Sequence, residues 1–136
     1  MRWLAILVLA PVAVVLAGFA FSPGDTSART SLKISYWPDG SNTPTAKTWT
    51  LRCNPVGGTL RSRGAACRRL AAAGTKLFAP VPRDTFCTQV YGGPHVARIV
   101  GTVKGKRVSA SFSRANGCQI ARWNRLSPWL LPSGSA

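Results

Sequence analysis

The chain reads Val96-Ala97-Arg98-Ile99-Val100-Gly101-Thr102-Val103-Lys104-Gly105-Lys106-Arg107-Val108-Ser109-Ala110-Ser111-Phe112 in its C-terminal half, and this stretch decides the fold class. Residues 96–103 are mostly apolar or β-branched, and residues 107–112 alternate apolar with polar side chains, as β-strands do. Lys104-Gly105 between them can supply the positive φ of a tight turn. The stretch therefore predicts a β-hairpin.

Two earlier segments predict further strands, and a third predicts a helix. Leu32-Lys33-Ile34-Ser35-Tyr36 and Trp49-Thr50-Leu51-Arg52-Cys53 both alternate with the period of a half-buried strand. The alanine-rich segment that begins at Gly64 places Ala66 and Leu70 on one helical face, and Gly74 can end the helix.

The apolar residues between Trp123 and Leu131 predict one more strand. Pro128 lies among them and has no backbone N–H to donate to a neighbouring strand. We therefore expect this last strand at a sheet edge or at a bulge.

The N-terminus carries a positive charge and then an apolar run from Trp3 to Phe21, which is the order of an export signal. We expect residues 1–28 to be a signal peptide and short linker, cleaved after Ala20 or Ala28, and residues 29–136 to form one domain. Left uncleaved, the apolar run is long enough to anchor the chain in a membrane. In both cases the body lies outside the cytoplasm.

The charge balance is strongly positive, with 18 Lys and Arg against 3 Asp and Glu and a formal net charge of +15. Such a charge repels itself unless anions or an acidic partner lie nearby. The exported body has His95 as its only imidazole and Asp39 and Asp84 as its only side-chain carboxylates. Because a hydrolase needs a nucleophile with a base or a metal, the sequence argues against an enzyme.

Four cysteines in a short exported chain predict two disulfides, since oxidising compartments preserve such bridges and small domains need them. From the residues alone, all three pairings are open. The cysteines lack the close spacing of a zinc site, so we expect neither a metal nor a cofactor.

Thr85-Phe86-Cys87-Thr88-Gln89-Val90-Tyr91-Gly92-Gly93-Pro94 resembles the reactive loop of the Streptomyces subtilisin inhibitor family, in which a cysteine stands shortly before the cleavable bond. The likeness covers roughly residues 32–131. Thr50–Pro55 and Gly64–Leu70 resemble the family segments that hold its first and second cysteines. Gly105–Ser109 and Ala115–Cys118 together resemble the segment that carries its fourth.

The resemblance implies an α+β fold, with a five-stranded antiparallel sheet and two helices packed on one of its faces. It also implies two sequential disulfides, Cys53 with Cys67 and Cys87 with Cys118. The family forms homodimers through the sheet, so we expect a homodimer here.

The resemblance also implies a function: a secreted serine protease inhibitor that binds subtilisin-like proteases in a substrate-like manner, with Gln89-Val90 as the scissile bond. Gln89 would enter the primary specificity pocket, and Phe86 would fill an apolar pocket further upstream. Asn116 would support the loop through hydrogen bonds. The other residues expected to contact the protease are Thr85, Cys87, Thr88, Tyr91 and Gly92.

The chain departs from the family pattern at two points. Gly92-Gly93 adds one residue between Tyr91 and Pro94, which predicts a looser leaving side of the loop. Gln89 is neither apolar nor charged, whereas the family usually has Met, Lys or another long side chain there. The target protease is therefore left open by the sequence.

Two other functions stay open. The first is a secreted cationic binding protein for polyanions or a cell surface, without specific nucleic-acid binding because no nucleic-acid module is recognisable. The second is a protein of the inhibitor fold that lacks inhibitory activity, suggested by Gln89 and the extra glycine. The basic residues behind the first alternative are Arg61, Arg63, Arg68, Arg69, Lys104, Lys106, Arg107, Arg122 and Arg125.

Overall fold

The computed structural model describes Gly18 and residues 29–134. Five antiparallel strands form one sheet in the order β3-β2-β1-β4-β5. The strands are β1 Thr30–Trp37, β2 Lys47–Cys53, β3 Gly57–Gly58, β4 Val96–Val103 and β5 Lys106–Ser113. Helix α1 spans Arg63–Ala73 and runs into a 3-10 turn at Gly74–Phe78, and helix α2 spans Gly117–Leu126.

The predicted hairpin and the first helix are confirmed. Lys104 and Gly105 have φ of 49° and 78° and join β4 to β5, where Val103 pairs with Lys106. Gly74 ends α1, and its N–H donates to the Leu70 carbonyl. The two earlier predicted strands lie within β1 and β2. The local sequence signals therefore placed most of the sheet correctly.

One face of the sheet is buried under both helices. In β1 the side chains of Leu32, Ile34 and Tyr36 are buried and alternate with more exposed residues. They share one apolar core with Leu70 of α1 and Trp123 of α2. Removal of these apolar side chains from water is the main stabilising contribution to the fold.

The prediction of a last strand between Trp123 and Leu131 is wrong, because Trp123 and Leu126 lie in α2. Asn116 caps this helix by accepting from the Gln119 backbone N–H at 3.0 Å. The three-residue spacing of Trp123 and Leu126 puts both side chains on the buried face of the helix. Their burial outweighs the preference of Trp123 for a strand. After α2, Leu130 folds back and its N–H donates to the Leu126 carbonyl at 2.8 Å.

The two disulfides have the pairing that the resemblance implies, Cys53 with Cys67 and Cys87 with Cys118. The first ties the end of β2 to α1.

The predicted export segment, with its cleavage sites after Ala20 and Ala28, lies outside the described residues. Within residues 29–134, none of the helices has the length and apolar character needed to cross a membrane.

Candidate functional site

A long irregular segment, residues 79–95, connects the 3-10 turn to β4 and carries the candidate reactive loop. Phe86 is 102% exposed, Val90 60% and Tyr91 68%. Gln89 is also exposed, and its side-chain amide donates to the Cys87 carbonyl at 3.3 Å. The predicted scissile bond therefore lies on the surface among apolar side chains that contribute nothing to the core.

Arg122 holds the upstream base of the segment. It lies in α2 and is 8% exposed; its Nε donates to the Ala79 carbonyl at 3.0 Å, and its Nη1 donates to the Ser111 carbonyl at 3.1 Å. The guanidinium lies 4.5 Å from the centre of the Phe112 ring. Burial, and then the charge of Arg125, lower the pKa of Arg122, but an arginine stays protonated in proteins. Arg122 thus joins the loop, β5 and α2.

The acyl side of the predicted scissile bond is tied to the start of α2. Cys87 is bonded to Cys118, with their Cα atoms 5.3 Å apart. The Gly117 N–H donates to the Thr88 carbonyl at 2.9 Å. A Cβ atom at position 117 would collide with the Thr88 hydroxyl, so any larger residue would force the Thr88 side chain to move. The backbone just before Gln89 is therefore fixed by one covalent and one hydrogen bond.

The leaving side is tied to Arg114, directly after β5. The Gly92 N–H donates to the Arg114 carbonyl at 2.7 Å, and the Gly92 carbonyl accepts from Arg114 Nε at 3.0 Å. The Arg114 side chain is 9% exposed, and its Nη1 also donates to Asn124 Oδ1 at 3.2 Å. Both backbone polar groups of Gly92 are thus bound.

His95 lies at the downstream base of the segment, just before β4. Its ring stacks on Tyr36 with centroids 6.3 Å apart and is tilted against Trp123 at 6.1 Å. Its Nδ1 is buried and has no hydrogen-bond partner within the described part of the chain. The imidazole therefore packs as an aromatic ring between the loop and the core.

Within residues 29–134, His, Cys, Asp and Glu side chains do not gather in groups of three that could hold a metal ion.

The structure brings most of the predicted site residues together in the exposed part of the loop, from Thr85 to Gly92. Asn116 lies beside them as the cap of α2, so its side-chain oxygen fixes the turn that carries Gly117 and Cys118. Sequence reasoning missed Arg114 and gave Arg122 only a place among the surface charges. The bonds of these arginines to the loop carry no local sequence signal, because Gly92 and Ala79 lie 22 and 43 positions away along the chain.

Comparison with known proteins places this geometry in a family. The family model described as subtilisin inhibitor-like matches residues 28–116. The fold is similar to a chain in the crystal structure of Streptomyces caespitosus sermetstatin in complex with Bacillus licheniformis subtilisin, with a TM-score of 0.51 and 24% identity over 76% of this chain and 97% of that chain. That identity shows a common fold alone. No curated protein matches the sequence significantly.

Proposed function

The chain belongs to the subtilisin inhibitor-like family, and from this premise we propose that it is a secreted inhibitor of subtilisin-like serine proteases with Gln89-Val90 as its scissile bond. One observation carries the proposal. Of the four large apolar side chains that are exposed among the described residues, Phe86, Val90 and Tyr91 lie in a single loop. Apolar side chains clustered on a fixed surface loop are typical of an interaction site.

The order of side chains along the loop suits an extended peptide in a protease cleft. Gln89 enters the primary specificity pocket, and Val90 begins the leaving segment. Thr88 is small enough for a shallow subsite. Phe86 is the affinity anchor, since a buried aromatic side chain often supplies much of the binding free energy of an interface. The sermetstatin structure is a complex with subtilisin, which supports this class of partner.

The constraints on the loop explain how a cleavable bond can inhibit. The protease serine attacks the Gln89 carbonyl and forms a serine ester. The Gln89-Val90 C–N bond breaks, and the proton lost by the serine hydroxyl goes to the Val90 nitrogen. The disulfide at Cys87 and the hydrogen bonds at Thr88 and Gly92 keep both ends in place. The new amine stays beside the acyl-enzyme at high effective concentration, so religation outruns hydrolysis. The loop is also ordered before binding, which lowers its entropic cost.

Titration of purified, oxidised protein against subtilisin, with a chromogenic peptide as reporter substrate, tests this function. We expect stoichiometric loss of subtilisin activity. Absence of inhibition at micromolar concentrations would leave the alternative of an inhibitor fold without inhibitory activity. We further propose that residues 29–136 are the inhibitor domain, that residues 1–28 are a signal peptide and short linker, and that cleavage follows Ala20 or Ala28. N-terminal sequencing of the secreted protein will identify the cleavage site.

A second candidate function, binding of polyanions, is favoured by the face of the sheet that the helices leave uncovered. Lys33, Arg52, Arg98 and Arg107 are exposed there. Their cross-strand neighbours are mostly hydroxyl side chains, such as Ser35 and Ser111 on either side of Arg98. None of the five strands contains Asp or Glu, so these charges have no carboxylate within the sheet. The face presents cations and hydroxyl donors to an anionic polymer.

Binding to heparin at increasing salt concentration tests the second candidate. The paired change Lys33→Ser with Arg98→Ser should weaken binding more than Arg61→Ser with Arg68→Ser, which removes the same charge near α1. Binding through dispersed charges should also fade at moderate salt, because it depends on counterion release. Equal losses from the two pairs would mean that net charge, and not the sheet face, causes the binding.

A further inference from the structure

The leaving side of the loop contains two consecutive glycines, Gly92 and Gly93, yet Gly92 is among its most constrained residues. Its N–H and its carbonyl are both bound by Arg114, at 2.7 Å and 3.0 Å. A Cβ atom at position 92 would lie 2.8 Å from Ile120 Cδ1 and 3.2 Å from Arg114 Cβ. The absence of a side chain therefore lets the backbone of the leaving segment lie against both Arg114 and Ile120 of α2.

The Arg114 side chain is itself held in position. Its Nη1 donates to Asn124 Oδ1 at 3.2 Å, and a Cβ atom at Gly134 would collide with the guanidinium, so the C-terminal segment covers it. The side chain is 9% exposed. A charged donor excluded from water makes a stronger hydrogen bond than a neutral one, and its planar shape fixes the direction of that bond. Arg114 is thus a rigid support for the Gly92 carbonyl.

Residues 114–118 bind the loop on both sides of Gln89-Val90. Gly117 and Cys118 hold Thr88 and Cys87 upstream, and Arg114 holds Gly92 downstream. A cut at Gln89-Val90 would leave both new ends attached to this one short segment.

Resting on the proposed function, we propose that Arg114 is a positioning residue that retains the cleaved leaving segment, so that the amine of Val90 can reform the bond. The disulfide retains only the acyl side. Val90 is separated from Gly92 by Tyr91 alone, so the clamp at Gly92 restricts how far the new amine can move. Arg114 thereby offsets the flexibility that Gly92-Gly93 would otherwise give the loop.

Arg114→Ala tests this role through the fate of the cleaved bond. We expect the variant to bind subtilisin at first and then to lose inhibition faster than the wild type by roughly 10- to 100-fold, as expected for loss of a buried charged hydrogen bond. Mass spectrometry of the protein recovered from the complex should show accumulation of the chain cut at Gln89-Val90. Arg125→Ala is the control. It removes an exposed charge from α2, next to Asn124, and should behave as wild type.

Two further variants separate retention from folding. Asn124→Ala removes only the partner that orients the guanidinium and should give an intermediate rate. Arg114→Lys keeps the charge but cannot bind Gly92 and Asn124 in the same planar arrangement, so it should restore retention only in part. The thermal unfolding temperature of each variant identifies any loss that is merely structural.

The outcomes are distinguishable. A wild-type protein that never inhibits subtilisin overturns the proposed function itself. A wild type that inhibits, with folded Arg114→Ala and Asn124→Ala variants that keep the bond intact for as long, leaves the inhibitor function standing and overturns the role of Arg114. Faster cleavage in Arg114→Ala and Asn124→Ala, with wild-type behaviour in Arg125→Ala, is the result that supports it.

Discussion

The side chain of Gln89 is the simplest means of changing the target of the loop without disturbing the fold. It is exposed, and its amide nitrogen donates to the nearby Cys87 carbonyl. Most surface substitutions of this kind change stability by less than about 0.5 kcal/mol. Effects on inhibition can therefore be assigned to protease contacts.

Gln89→Lys should create inhibition of trypsin, whereas the wild type should inhibit subtilisin far better than trypsin. The specificity pocket of a trypsin-like enzyme ends in a carboxylate, and a neutral amide leaves that charge poorly compensated at a cost of about 2 kcal/mol or more. Inhibition constants against both enzymes provide the measurement. Gln89→Met is the control, because it has similar length but no charge and should stay inert towards trypsin. If Gln89→Lys is as inert towards trypsin as Gln89→Met, Gln89 is not the specificity residue.

Phe86→Ala should weaken binding to subtilisin by about 1–3 kcal/mol, because it empties an apolar subsite without changing the scissile bond. The ring is fully exposed, so its removal should leave the unfolding free energy unchanged. Val56→Ala is the matched control, since Val56 is also exposed, at 54%, but lies outside the loop. Equal inhibition constants for Phe86→Ala and Val56→Ala would remove Phe86 from the interface.

Residue-scale sequence reasoning succeeded where the chemistry is local and failed where it is not. The exposed loop positions follow from a contiguous motif, from Thr85 to Pro94. Arg114 binds a carbonyl 22 positions away, and Arg122 binds one 43 positions away. These contacts arise only in the folded chain, where the loop packs beside the segment that follows β5 and beside α2. An arginine with a buried structural role looks the same in the sequence as an exposed one.

At the scale of elements, the hairpin was predictable and α2 was not. The turn at Lys104-Gly105 could be predicted because a glycine between two strand-like segments is typical of a two-residue hairpin turn with positive φ. The residues of α2 include Ile120 and Trp123, which have high β-propensity, and the local sequence signal for a helix was the N-cap residue Asn116. Local preference is a weak guide when burial of one helical face determines the outcome.

Asn116→Ala should lower the unfolding free energy by about 1 kcal/mol, because the cap of α2 loses its side-chain acceptor. Ser62 provides a matched control, since it stands at the N-cap of α1 but makes no side-chain cap hydrogen bond there. Ser62→Ala should be nearly neutral. Urea denaturation of both variants measures the difference. Equal midpoints would mean that the bond from Gln119 N–H to Asn116 is energetically unimportant.

The two disulfides should have separable roles. They close sequence separations of 14 and 31 residues. In the chain-entropy model they stabilise by about 3 and about 4 kcal/mol respectively. Replacing Cys53 and Cys67 by serine should lower stability but leave the surviving folded protein inhibitory. Replacing Cys87 and Cys118 should also turn the inhibitor into a substrate that is cleaved and released. Similar cleavage rates for both double variants at a temperature where both are folded would contradict a special role for Cys87.

At the scale of the whole molecule, the formal charge of +15 bears on self-association as much as on partners. The homodimer through the sheet remains a prediction from the resemblance. In such a dimer the exposed basic side chains of the two sheets, Lys33 and Arg98 among them, would be brought close to one another. Like charges at close range repel. Salt screens this repulsion, with a screening length of about 8 Å at physiological ionic strength.

The dimer population should therefore rise with salt concentration. Sedimentation equilibrium at low and at high salt measures it, and the paired change Lys33→Ser with Arg98→Ser should raise the low-salt dimer population. Arg61→Ser with Arg68→Ser, which removes the same net charge outside the sheet, should raise it less. A dimer that dissociates as salt is added would place the interface elsewhere.

The central claim is that protease attack on this molecule is confined to one bond and is reversible. Mass spectrometry of a stoichiometric mixture with subtilisin, sampled over hours and then reduced, tests it most directly. We expect a mixture of intact chain and chain cut only between Gln89 and Val90, in a ratio that reaches a plateau while inhibition persists. Inhibition without any cut at Gln89-Val90, or progressive cleavage at other bonds as activity returns, would contradict it.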